Sequence, residues 1–172
     1  MNIFYIDEDP TVAAQSLIDI HVNKMIVETA QLLANCYSLD KLKDAPKTQT
    51  GNIRGYSHVN HPCTKWVKSS EDNFVWLVSH GLALCHEKIF RTSNEHFTYA
   101  FINWCANNIA DLPDIGLTTP ALAFNQYPEF QDYSNPVESY RKYYTNCKRV
   151  DKNGKKIDIY TRRARPTWFP EI

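Results

Sequence analysis

The sequence predicts a mainly α fold: a single compact domain of about four helices around a central N-terminal helix, with long irregular connections and room for a small C-terminal hairpin. Three observations carry this. Residues 11–37 contain no glycine or proline and place apolar side chains at helical spacing on two sides. Pro113, Pro120, Pro128 and Pro136 crowd one later stretch and bar regular structure there. The chain has 172 residues, 43% of them hydrophobic, with no repeat, low-complexity run or linker to divide one core into two.

In chain order, residues 1–5 form a short apolar arm. Asp9-Pro10 starts the first helix, with a capping carboxylate followed by a proline whose missing N–H costs nothing at the first helical position. That helix is expected to continue to about Tyr37. Val22, Met25, Ile26, Thr29, Leu32, Leu33 and Cys36 make one face, and Val27, Ala30 and Ala34 keep a second side small or apolar. A helix apolar on two sides packs centrally. Residues 38–61 are a polar connection carrying Pro46, Gly51 and Gly55. His61-Pro62 opens a second helix through Trp66, Phe74, Leu77, Val78, Leu84 and Cys85, interrupted by Gly81. Ser93 is expected to cap a third through Phe97, Phe101, Ile102 and Cys105. Residues 111–136 read as an irregular strap with one short turn. Pro136 begins the last helix, with Tyr140, Tyr143 and Tyr144, and Asn153-Gly154 between Val150 and Ile157 reads as a tight turn.

The net charge of zero hides an asymmetry. Residues 138–172 hold ten of the 19 basic residues against four of the 19 acidic ones, which fits a phosphate-bearing partner, although solvated charge is the commoner origin of a basic tail. Five scattered cysteines without a CxxC pair, no signal peptide and no transmembrane stretch suggest a reduced, cytoplasmic protein that does not engage membranes.

Chemistry concentrates first on the polar strip of the N-terminal helix, where His21, Lys24, Glu28 and Gln31 stack. Burying such groups is costly unless they pair or line a cleft. Glu28 is the candidate general acid/base or stabiliser of a developing cation. A structural Glu–Lys pair at this spacing is the more frequent case. A second cluster, Arg54-Gly55-Tyr56-Ser57-His58-Val59-Asn60-His61-Pro62, sets an arginine, an aromatic ring and two histidines in a loop just before a helix, a place suited to binding. Its competing interpretation is ordinary turn and cap chemistry. His58, His61 and Cys63 lack a second matching pair, so no metal is expected. Third, Arg162, Arg163 and Arg165 interleave with Trp168 and Phe169, as in segments that contact phosphates and stack on bases.

Asp19-x-His21-Val22, with Glu28 seven residues after the histidine, resembles the first helix of the T-even phage endonuclease V family. Gly55-Tyr56 followed by Asn60-His61-Pro62 resembles the loop before that family's second helix, and Arg165-Pro166-Thr167-Trp168 its C-terminal motif. The helix His-Val-x-Lys-Met-x-x-Glu-Thr-Ala-Gln is also similar to uncharacterised bacteriophage proteins, which would place the chain in a host cytoplasm. The resemblance implies a cofactor-free, monomeric pyrimidine-dimer DNA glycosylase with abasic-site lyase activity, acting on duplex DNA with a damaged or modified base. It implies that an N-terminal amine attacks C1′ and that Glu28 stabilises the sugar cation and moves protons. Asn2 is a poor context for removing the initiator methionine, so the amine is expected on Met1. His21, Lys24, Arg54, Tyr56, His58, Asn60, His61, Arg162, Arg163, Arg165 and Trp168 would then meet DNA or substrate. Val27 and Gln31 stand where the family places arginines, and Phe169 lacks a hydroxyl, which weakens the expectation of dimer specificity. The alternatives are a same-fold enzyme for a free nucleotide or a phage-modified pyrimidine, or a non-catalytic DNA-binding relative.

Overall fold

A computed structural model describes residues 1–171. It is mainly helical: α1 (Pro10–Gln15), α2 (Asp19–Ala34), α3 (Leu39–Leu42), α4 (Pro62–Ser69), α5 (Glu71–Thr92), α6 (Tyr99–Ala106) and α7 (Pro136–Cys147), with one 3-10 turn at Pro128–Phe130. The long helix α5 is the hub, packing against α1, α2, α4 and α6. Its crossing with α2 explains Gly81, which does not interrupt the helix. A Cβ there would meet Thr29 Cγ2 at 2.8 Å and Ile102 Cγ2 at 3.0 Å, so glycine is what lets α2 and α6 close on α5.

The expected first helix is two helices. It breaks over residues 16–18, where Ile18 turns extended at ψ 157°. The polar groups freed there are met by side chains from far along the chain. Arg91 donates to the carbonyls of Leu17 (2.9 Å) and Gln15 (2.9 Å), and Tyr160 donates to that of Ser16 (2.9 Å). The Ile18 N–H donates to the Tyr144 hydroxyl (3.0 Å). Arg91 also pairs with Asp19 and Glu87. This bonding makes a break affordable in a segment that has no glycine or proline at residues 11–37.

Two further boundaries differ from expectation. The second helix divides at Ser70, whose extended backbone ends α4 and whose hydroxyl accepts the Asp72 N–H to cap α5. Ser93 opens no helix. It ends α5 in the left-handed conformation, φ 60°, and α6 begins only at Tyr99. The short α3 was not expected. At the Asn153-Gly154 turn the pairing amounts to one antiparallel bridge, Val150 with Lys156.

Residues 111–136 are irregular, as expected, yet anchored. Their carbonyls accept hydrogen bonds from helix side chains: Trp66 to Thr118, Ser70 to Gly116 and Tyr140 to Ala121. Asn73 grips Thr118 through both its amide oxygen and its amide nitrogen. Such bonds replace the ladder that the prolines deny. The final helix begins at Pro136, as expected. The chain then returns across α5 and buries Phe169 completely.

Candidate active site

The start of the chain hooks over α2. Asn2 Oδ1 accepts the N–H groups of Ile3 (2.8 Å) and Phe4 (2.9 Å), which bends the backbone so that Phe4 is left-handed, φ 44°. Ile3, Phe4, Tyr5 and Ile6 are buried, and this burial anchors the hook. The Asn2 N–H is thereby aimed at Glu28 Oε2, 2.9 Å away, and the Met1 amine stands 4.0 Å from the same oxygen. Lys24 Nζ is 3.4 Å from the other carboxylate oxygen. Glu28 itself is 13% exposed, and it opens on a cleft of about 330 Å³.

His61, Gln126 and Lys148 complete the rim. His61 caps α4, with its Nδ1 accepting the Cys63 N–H at 3.2 Å. Burial, the neighbouring N-terminal amine and His58 hold its pKa below the usual histidine value, against opposing effects of Glu28 and the Met1 backbone. The imidazole is therefore neutral at neutral pH, and its protonation-sensitive nitrogen is already spent on the helix cap. With the amine, Lys24 and Lys148 on one side and Glu28 alone on the other, the cleft has an excess of positive charge suited to a phosphate-bearing ligand.

Of the residues singled out in the sequence, the structure brings Met1, Lys24, Glu28 and His61 together. His21 is placed beneath the cleft, not in it: its Nδ1 lies 2.7 Å from the Tyr144 hydroxyl and its ring 5.1 Å from that of Phe4. The Tyr144 hydroxyl, which also accepts the Ile18 N–H, and His21 Nδ1 share one hydrogen bond whose sense is set by the imidazole tautomer. Burial, with Lys148 and Lys24 nearby, pushes the His21 pKa down to about 3.

The loop residues are apart from the cleft, except His61. Arg54 stacks its guanidinium 4.4 Å from the Phe101 ring, and Tyr56 donates to the Tyr37 carbonyl. His58 is exposed with φ 52°, and Asn60 is exposed. The C-terminal arginines are engaged by other parts of the fold. Arg162 donates to the Phe90 carbonyl, Arg163 pairs with buried Glu87, and Arg165 pairs with buried Asp158 at 2.9 Å. Trp168 lies against the Arg141 guanidinium. Asn2, Gln126 and Lys148 were missed by sequence reasoning. Lys148 is one lysine in a basic region, and Gln126 sits in a strap with no periodicity to mark it.

Fold and cleft together define a helical protein with an amine–carboxylate site under positive potential. Residues 1–99 match the family described as pyrimidine dimer DNA glycosylase, more than half of the chain, and the chain belongs to that family. It is therefore assigned as a DNA glycosylase with DNA as its substrate class. Searches of curated proteins and of solved structures found no significant match. Among the described residues, no helix is long and apolar enough to cross a membrane.

Proposed function

We propose that the protein excises a damaged or modified pyrimidine from duplex DNA and then cleaves the resulting abasic strand through an imine. The observation that carries this reading is the 4.0 Å approach of the Met1 amine to Glu28 Oε2 within the segment that matches the family. The neutral amine attacks C1′ while the base departs with the electron pair of the glycosidic bond. Glu28 lies where it can stabilise the positive charge on the sugar and accept the proton that the attacking amine must lose. Opening of the sugar ring gives the imine. Removal of a C2′ proton then expels the 3′ phosphate by β-elimination, and water releases the enzyme. Lys24, beside the carboxylate and exposed, is suited to meet a phosphate of the same nucleotide. A nucleotide already weakened in its stacking is the easiest to bring into such a cleft.

Borohydride trapping on a duplex with one abasic site tests the imine. The expected result is a covalent adduct that disappears when the N-terminal amine is acetylated. Intact mass identifies the residue carrying the amine. If Met1 were removed, the new amine would be the nitrogen of Asn2, which stands 2.9 Å from Glu28. An adduct that survives blocking of the amine refutes the mechanism. So does the absence of any adduct at every pH, which moves the search to free nucleotides.

A further inference from the structure

The residue that carries the attacking amine is gripped from several sides. The Met1 side chain is only 3% exposed and packs against the core. Asn2, next along, gives its backbone N–H to Glu28 Oε2 at 2.9 Å and its side-chain amide to the Ala123 carbonyl at 3.3 Å. A further grip comes from His61, which faces the same cleft and whose imidazole hydrogen-bonds the Met1 backbone. Cys63, two residues on, is fully buried and lies against the Ile3 backbone. The start of α4 is thus a cradle for the start of the chain.

The other contact of His61 fixes its chemistry. His61 is the N-cap of α4, and its Nδ1 lies 3.2 Å from the Cys63 nitrogen. A backbone N–H can only donate, so Nδ1 carries its lone pair there and the ring proton sits on Nε2. Nε2–H is therefore the donor, and the Met1 carbonyl is the acceptor it meets. Both ring nitrogens are engaged, one by the helix and one by Met1. A general base needs a free lone pair, and this imidazole has none to offer the substrate. Its place is mechanical. The Met1 Cα carries the carbonyl, the side chain and the amine at tetrahedral angles. Once the carbonyl is held and the side chain is buried, the position of the nitrogen is determined.

We propose that His61 is a positioning residue for the N-terminal amine: through Nε2–H it holds the Met1 carbonyl, and through Nδ1 it fastens that grip to α4. The inference rests on the imine reading above and names the group that keeps the nucleophile within reach of both Glu28 and C1′.

Two substitutions divide the imidazole. His61→Asn puts an amide oxygen near the position of Nδ1, where asparagine is a preferred cap, and leaves the Met1 carbonyl without its donor. His61→Gln puts an amide nitrogen near the position of Nε2, keeping the donor and losing the cap. The rate is read by borohydride trapping on a duplex with one abasic site, with protein in excess, and the affinity for that duplex by anisotropy. His61→Asn is expected to trap about 10- to 100-fold more slowly, the range for a nucleophile displaced by about 1 Å. Its affinity and urea midpoint should stay near those of the wild type. His61→Gln should have a lower urea midpoint and recover most of the trapping rate. A residue that serves only as a cap predicts the reverse order, and that order overturns the proposal. Equal trapping rates in all three proteins overturn it as well. Nitrogen NMR of the wild-type imidazole is a check that needs no variant to fold: a ring proton on Nε2 is expected, and one on Nδ1 overturns the clamp. So does an intact mass showing that the active chain begins at Asn2, which leaves no Met1 carbonyl to hold. A wild type that forms no adduct refutes the imine reading itself. An active wild type with an undiminished His61→Asn refutes the clamp alone.

Discussion

Glu28 Oε2 accepts the backbone N–H of Asn2 at 2.9 Å, a bond between the start of the chain and the middle of α2. The carboxylate therefore has a structural duty as well as a chemical one. Glu28→Gln separates the two, because an amide oxygen can still accept from Asn2 while it cannot take up a proton. The variant is expected to fold with a stability loss of about 1 kcal/mol and to lose about 10²- to 10⁴-fold in excision rate. Single-turnover excision beside a urea melt checks both. Retained activity would remove Glu28 from the chemistry.

Gly81→Ala tests the crossing of α2 and α5. Helix propensity favours alanine by up to about 1 kcal/mol. The new methyl would stand 2.8 Å from Thr29 Cγ2 and 3.0 Å from Ile102 Cγ2, both short branches with no slack. Overpacking of this kind costs about 1–3 kcal/mol, so the variant is expected to be net destabilised. Thr29→Ser in the same chain should recover part of the loss, and a double-mutant cycle by urea unfolding measures that recovery. A more stable Gly81→Ala would mean that the helices separate freely.

Acid should unfold this protein through two buried histidines. Burial holds His21 at about 3 and, despite its bond to the Pro10 carbonyl, His80 at about 4. Both pKa values lie below the ~6.5 expected in the unfolded chain. The unfolded state consequently binds more protons below that pH. Stability is full above about pH 6.5 and falls as the pH drops towards 4, by at most about 1.4 kcal/mol per pH unit for each histidine. Urea midpoints between pH 7 and pH 5 should show this slope, and His21→Gln or His80→Gln should each flatten it. Identical slopes in all three proteins would assign acid lability elsewhere.

The basic C-terminal segment is expected to matter for stability more than for DNA. Arg163 and Arg165 meet buried carboxylates, whereas Lys24 is 61% exposed beside the cleft. Arg163→Met should cost about 1–3 kcal/mol, because Glu87 keeps Arg91 as a partner, and should leave the salt dependence of duplex binding unchanged. Lys24→Met should do the reverse, with the slope reduced by about 0.9. Anisotropy titrations across a salt series decide between them. A slope that drops with Arg163→Met would return the arm to the DNA interface.

Much of this arrangement was legible in the sequence for local reasons. Helical spacing placed Lys24 and Glu28 on one strip, Pro62 and Pro136 marked helix starts, and four prolines kept residues 111–136 irregular. What escaped depends on groups distant along the chain. Nothing near residue 17 announces a break, because the groups that stabilise it are Arg91, Tyr144 and Tyr160. Gly81 looks like an interruption until Thr29 is placed against it. A run of arginines followed by two aromatic rings resembles an exposed binding arm, but the carboxylates that pair with Arg163 and Arg165, Glu87 and Asp158, come into view only once α5 and the final segment are packed. Gln126 and Lys148 reach the cleft through tertiary contacts alone.

The seam between α1 and α2 has a consequence for how the protein folds. Its open polar groups are met by Tyr144, Tyr160 and Thr161, between 126 and 144 residues further along the chain. The bend that sets the direction of the helix carrying Glu28 therefore closes only through contacts of long sequence separation, which form slowly because loop closure costs entropy first.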